Sequence, residues 1–316
     1  MVMGLAGLSL AWHRSGQVMG ASAESVALAI GAVAAIVFAM LGVATMLRAA
    51  RHRQAWAEDL RHPVRHTFVA TLPISLVLLA TVALTSGVAR PVTLSIWWVG
   101  ALSQLLVTVW VLARWWRGNQ AGGLQWASLT PALFIPVVGN VLVPLAGVPL
   151  GQAEWSAAQF GVGLLFWPAV TVLVLVRVAV QGAWPERLAP TAFIFMAPPA
   201  AIGLSSAQFG VPVLVQWALW GMTLFCLLWA STLLRRIAAL PFGLPHWGMS
   251  FPMAAFTALT FRLLPTGPGA IVGVALLALT SLLIAALTLA TIRGLRDGTL
   301  LAPEPVAAIA PVAAGG

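Results

Sequence analysis

The chain has no lysine, one cysteine and very little charge: Asp, Glu, Lys and Arg make up 7% of its 316 residues. A soluble domain carries about 25% charged residues, so a water-facing surface cannot be built from this inventory. A lone cysteine, Cys226, excludes a disulfide framework and a thiolate metal cluster. No Asp or Glu lies at mid-depth of a long apolar run. That counts against a cation channel, a carboxylate-driven proton pump and an intramembrane aspartyl protease, which use buried carboxylates. The five histidines, His13, His52, His62, His66 and His246, fall at the ends of apolar runs or between them, so no pair sits at mid-helix to hold haem. Neither a Ser/His/Asp set nor a His/Glu helix motif is present, and the sequence indicates no enzyme, cofactor or metal site.

What is present is apolar: 61% of residues are hydrophobic and the mean hydropathy is +0.99. With lipid as solvent, every backbone polar group needs an internal partner, which leaves helices or a closed barrel. Barrel strands alternate with period two, whereas runs such as Pro268 to Thr291 are continuous. The fold class is therefore an all-α polytopic membrane protein. Ten spans are read at roughly 1–13, 24–48, 67–87, 93–113, 128–148, 155–180, 189–208, 212–234, 245–264 and 268–291. Crossing the hydrocarbon takes about 20 residues. The first segment would rise only about 18 Å, so it is expected to be a truncated first helix. A secretory signal is disfavoured because His13 and Arg14 follow the apolar run and no positive charge precedes it. Residues 1–296 are expected to form one bundle, and 297–316 a Pro/Ala-rich disordered cytoplasmic tail.

The net charge of +9 comes from arginines placed between apolar runs, without the basic aromatic stripe of a nucleic-acid binder. Thirteen lie on one side of the alternating spans, among them Arg48, Arg65, Arg114, Arg177 and Arg236; Arg14, Arg90 and Arg262 lie on the other. The positive-inside rule then puts both termini in the cytoplasm of a bacterial inner membrane. Short links such as Gly210-Val211 and Thr266-Gly267 force antiparallel neighbours, giving five helical hairpins in series.

Within the hairpins, internal proline concentrates in the odd helices. Span three has Pro73, span five Pro131, Pro136 and Pro144, span seven Pro198 and Pro199, and span nine Pro252; among the even helices, Pro168 of span six stands well inside. Proline removes a backbone hydrogen bond and bends a helix. Freed carbonyls at membrane depth are tolerated where protein or a water-filled cavity satisfies them. The odd helices are thus expected to line a central pore, with the even helices outside. Thr71, Ser75 and Asn140 could donate hydrogen bonds to a partly dehydrated anion there, or equally bond between helices.

Several strings resemble the tellurite-resistance/dicarboxylate transporter family, whose members include bacterial tellurite-resistance membrane proteins, fungal malate transporters and plant slow anion channels. They are His62-Pro63-Val64-Arg65, Thr71-Leu72-Pro73-Ile74-Ser75, the stretch from Thr130 through Pro131 and Pro136 to Asn140, Ala197-Pro198-Pro199-Ala200, Ser250-Phe251-Pro252-Met253-Ala254 and, more weakly, Met3 to Leu8. The resemblance implies ten helices in five hairpins, a homotrimer with one pore per subunit, and a gating phenylalanine matched by Phe251. It implies passage of small anions through an uncharged pore, with His62 and Arg65 at the cytoplasmic mouth. Absence of a mid-membrane carboxylate leans toward a channel. The alternatives are a coupled carrier for C4-dicarboxylates or oxyanions such as tellurite, and a structural or sensory subunit.

Overall fold

A computed structural model describes residues 1–62, 64–118, 120 and 123–301 of the chain, and among them the regular structure is entirely helical. The α-helices are α1 (Val2–Met19), α2 (Ala21–Arg51), α3 (Arg53–Arg61), α4 (Thr71–Thr85), α5 (Arg90–Leu112), α6 (Phe134–Val138), α7 (Pro144–Gly147), α8 (Ala153–Gln181), α9 (Ala197–Ser206), α10 (Val213–Ser231), α11 (Leu234–Ala239), α12 (Ser250–Leu263) and α13 (Ala270–Arg296). Seven helical segments among the described residues are long and apolar enough to cross a membrane; Pro131–Gly147 is a shorter apolar segment.

Burial divides the segments into two classes. In the apolar 18-residue stretch of each, 89% of residues are buried in Glu186–Phe209 and 56% in Arg65–Thr85, whereas 17% are in Ala21–Arg51 and 33% in Ala270–Arg296. Every residue of α9, and every residue of α12 from Ser250 to Phe261, is buried. The buried segments contact one another in a closed circuit. α1 packs on α4 and α12, α4 on the 139–142 turn and α7, those on α9, and α9 on α12. The exposed apolar faces of α2, α5, α8, α10 and α13 surround this circuit, with Leu106, Leu165, Leu214 and Leu282 among the side chains they present outward.

Most prolines of the buried segments sit at a particular kind of joint. Arg65–Ala70, Glu186–Met196 and Leu244–Met249 are 3-10 helices that lead directly into α4, α9 and α12. Pro73, Pro198 and Pro252 stand in the first turn of the α-helix that follows. There the missing N–H has no partner four residues back within the α-helix, so proline fits without breaking one. Between 131 and 147 the same joint recurs. Pro131 opens a 3-10 turn, Pro136 is the third residue of α6, and Pro144 opens α7 after the 3-10 turn 139–142. The expected bends are thus changes of helix type, two pieces per segment and four in the 131–147 stretch. Pro168 differs: α8 runs through it unbroken.

Three boundaries correct the sequence reading. α1 continues past residue 13 to Met19, so its 18 residues rise about 27 Å and His13 and Arg14 lie on the helix, not in a loop. The arginine-rich connection after α2 contains a further helix, α3, which has no buried residue. Thr299–Leu301 forms a 3-10 turn against α13, with the Thr299 hydroxyl donating to the Gly294 carbonyl at 3.3 Å. The remainder of the expected tail, from Ala302, lies outside the described residues.

The tight links from buried to outer helices share one device. Gly20, Gly87, Gly151, Gly210 and Gly267 all have φ between 69° and 77°. At Gly210 an added Cβ would meet nothing within 4 Å, so any cost of substitution there is conformational. Gly210→Ala is expected to destabilise the protein by about 1–2 kcal/mol, read as a lower unfolding midpoint in detergent. An unchanged midpoint would refute the turn argument.

Candidate functional site

Phe251 lies near the start of α12, 8% exposed. Its ring packs against α1, where a Cβ on Gly7 would stand 3.3 Å from Phe251 Cδ2 and 3.0 Å from the Ala254 methyl. One turn earlier, a Cβ on Gly4 would overlap the Ser250 side chain. The two glycines therefore let α1 approach α12 at backbone distance, which closes the circuit of buried segments beside Phe251.

The polar side chains of the buried segments mostly turn away from one another. Ser75 Oγ donates to the Thr71 carbonyl (2.6 Å) and Thr71 Oγ1 to the Phe68 carbonyl (2.7 Å). Thr257 shares a 3.0 Å hydroxyl contact with Thr280 of α13, and Thr260 accepts from Trp220 Nε1 of α10 at 2.9 Å. Asn140, fully buried, donates to Thr108 Oγ1 of α5 and to the Val137 carbonyl, both at 2.8 Å, and its oxygen accepts from Gln159 of α8 at 3.0 Å. Both amide hydrogens are thereby engaged. Thr71 and Ser75 thus bond within their own segment, and Asn140 bonds across to α5 and α8.

Pro136 is a point where neighbouring polar groups converge. Its carbonyl accepts from Gln104 Nε2 (2.8 Å) and Thr108 Oγ1 (2.6 Å), both on α5. Pro73, Pro131, Pro136, Pro198, Pro199 and Pro252 are all buried. Pro199 also borders a cavity of about 390 Å³ with Trp167 and Thr171 of α8 and Met222, Phe225 and Cys226 of α10, so it reaches the outer layer. Three hydroxyls that the sequence reading did not single out are buried without a protein partner: Ser156 Oγ on α8 and, on the buried segments, Thr130 Oγ1 and Ser205 Oγ. Nothing in their spacing marks them, since an unbonded hydroxyl is visible only in three dimensions.

At the arginine-rich end, His62 Nδ1 accepts from the backbone N–H groups of Val64 and Arg65, each at 3.1 Å, and so caps the start of the 3-10 helix before α4. Arg65 Nη1 bonds Asp59 Oδ1 at 3.1 Å, and Asp59 Oδ2 also pairs with Arg48 at 2.6 Å. Pro63 of the same string lies outside the described residues. Among the described residues no three His, Cys, Asp or Glu side chains converge to hold a metal ion.

A family model described as voltage-dependent anion channel matches residues 1–292. The chain belongs to this family. Among curated relatives, the S-type anion channel SLAH2 of Arabidopsis thaliana is 24% identical over 213 residues, 66% of this chain. That match spans only 40% of the plant protein's own length. A tellurite resistance protein TehA homolog of Haemophilus influenzae is 23% identical over 257 residues, covering 80% of this chain and 76% of the relative. An uncharacterized transporter of Methanocaldococcus jannaschii is 23% identical over 223 residues, 63% of each chain. Membership makes this a multi-pass membrane protein of a channel and transporter family.

The buried amide network makes a stability test. Asn140→Leu leaves Gln159 and Thr108 short of a partner in the interior and is expected to cost about 1–3 kcal/mol. Thermal unfolding of the purified variant checks it; wild-type stability would mean the network is dispensable.

Proposed function

We infer that the protein conducts small anions across a bacterial inner membrane through an uncharged passage enclosed by its buried segments and occluded by Phe251. On this reading the ten apolar segments are five hairpins with both termini in the cytoplasm. The odd members line the passage and the even members face lipid. The observation that carries it is that 71–85, 131–147, 191–206 and 247–261, together with 2–12 of α1, contain no ionisable side chain, yet form the closed buried circuit of a protein in an anion-channel family.

An aromatic ring can close such a passage without fixed charge, having a positive edge and a negative face, and a dry apolar constriction blocks ions by dewetting. The anion would shed water against weak donors; the Thr130 and Ser205 hydroxyls are those on the buried segments available for that. The Arg65 end, partly neutralised by Asp59, would raise local anion concentration only modestly. The exposed apolar faces of the outer helices suit lipid and, as the family resemblance implies, a homotrimer.

The second reading is a coupled carrier for C4-dicarboxylates or oxyanions. What favours it is that one relative is named for tellurite resistance. Reversal potentials of the purified protein in a bilayer under chloride, nitrate and malate gradients decide between them, because a channel follows the anion gradient whereas a carrier saturates and responds to its coupling ion.

Phe251→Ala is expected to raise anion conductance severalfold in liposomes or oocytes. A well-folded variant with wild-type conductance would remove Phe251 from the gate.

A further inference from the structure

The three arginines that depart from the charge bias lie at the opposite end of the bundle from Arg48, Arg65 and Arg114, next to the glycine turns: Arg14 near Gly20, Arg90 near Gly87 and Arg262 near Gly267. Arg90 has a structural task, donating from Nη2 to the Leu150 carbonyl at 2.7 Å just beyond α7. The other two do not share it. α1 and α12 run side by side in the same direction, with Gly4 against Ser250 and Gly7 against Ala254. Continued for two more turns, that register brings Arg14 and Arg262 to the same end, and their charges repel each other.

No acid answers the pair. The ion pairs among the described residues both use Asp59, at the far end. Glu24 of α2 packs over Gly16, two residues from Arg14 and so on another face of α1. Arg262 is nevertheless held in place. Its Nε donates to Gln216 Oε1 of α10 at 3.1 Å, and Gln216, itself buried, is fixed by donating to the Val211 carbonyl at 3.0 Å. Two guanidinium groups of like charge, one of them oriented, are unfavourable alone, and an anion between them reverses the sign of the interaction.

We propose that Arg14 and Arg262 form an anion-capture site at this mouth of the bundle, which holds a small monovalent anion between the two guanidinium groups, with Gln216 positioning Arg262. The site lies eleven residues along α12 from Phe251, about 16 Å of helix rise. Its role in supply to the passage rests on the anion-conducting reading above; the binding itself does not.

Bromide is the probe. Crystals of the full-length protein grown in bromide should show anomalous scattering between the two guanidinium groups. The signal should vanish in R14Q/R262Q, persist in R14K/R262K and weaken in Gln216→Leu. In bilayers, R14Q/R262Q should conduct severalfold less than wild type at low anion concentration and approach it near 1 M salt, where screening removes the advantage of a charged mouth. Bromide bound here in a protein that passes no anion would sink the conduction reading and leave this one standing. Anion flux with no bromide between Arg14 and Arg262 in the wild type would overturn the capture site alone.

Discussion

The structure depends on hydrogen bonds that the outer helices give to the backbone of buried segments that change helix type. A buried carbonyl left unpaired in lipid costs several kcal/mol, so every broken segment has to be served by a neighbour. The outer helices provide that service. Gln104 and Thr108 of α5 both donate to the Pro136 carbonyl, and Trp97, on the same helix, donates its indole N–H to the Val143 carbonyl at 2.9 Å. Gln159 of α8 reaches the Ala101 carbonyl and Asn140 together. The long exposed helices are therefore more than a covering; α5 supplies hydrogen bonds where the 131–147 segment changes helix type.

That division of labour has a consequence for the interior. Hydroxyls on the inner segments bond back to their own turn, as Ser75 and Thr71 do, or outward, as Thr257 and Thr260 do. Thr130 and Ser205 are the hydroxyls on these segments that bond to nothing in the protein. A passage built this way would discriminate by size and by the cost of dehydration, since it offers neither a fixed charge nor a ring of carbonyls to replace the hydration shell. Glycine completes the construction. Only a residue without a side chain allows α1 to lie against α12 at Gly4 and Gly7, and a larger one would push apart the two helices that flank Phe251.

Much of this was legible in the chain, and for identifiable reasons. Continuous apolar runs fix helices, and proline position separates inner from outer segments because it reports which backbone is protected from lipid. Pro73, Pro198 and Pro252 gave the location of the joints but not their form, since a proline is compatible both with a kink and with a fresh α-helical start after a 3-10 turn. The length of α1 was underestimated because His13 and Arg14 read as a loop; a helix that ends beside other chain can carry polar residues that a lipid-facing end would not. Asn140 was visible as an intramembrane polar residue, yet its partners Thr108 and Gln159 lie 32 and 19 positions away, and nothing in local pattern pairs them.

The same distinction applies to charge. The positive-inside rule accounts for which loops are rich in arginine, but it is silent about what any one arginine touches. At the rich end, Arg48 and Arg65 share Asp59, while Arg114 donates to the Leu60 carbonyl and lies 4.3 Å over the Trp110 ring. Those contacts brace the loop before α4 and dilute the local field. At the poor end, three arginines run against the bias, and a residue kept where the topology signal disfavours it needs a different reason. Arg90 finds one in the Leu150 carbonyl. For Arg14 and Arg262 the protein offers a buried glutamine to orient one of them, and neither takes part in an ion pair among the described residues. An uncharged conduit needs its attraction for anions to come from its ends, and at this end Arg14 and Arg262 stand outside the ion pairs that Asp59 makes at the other.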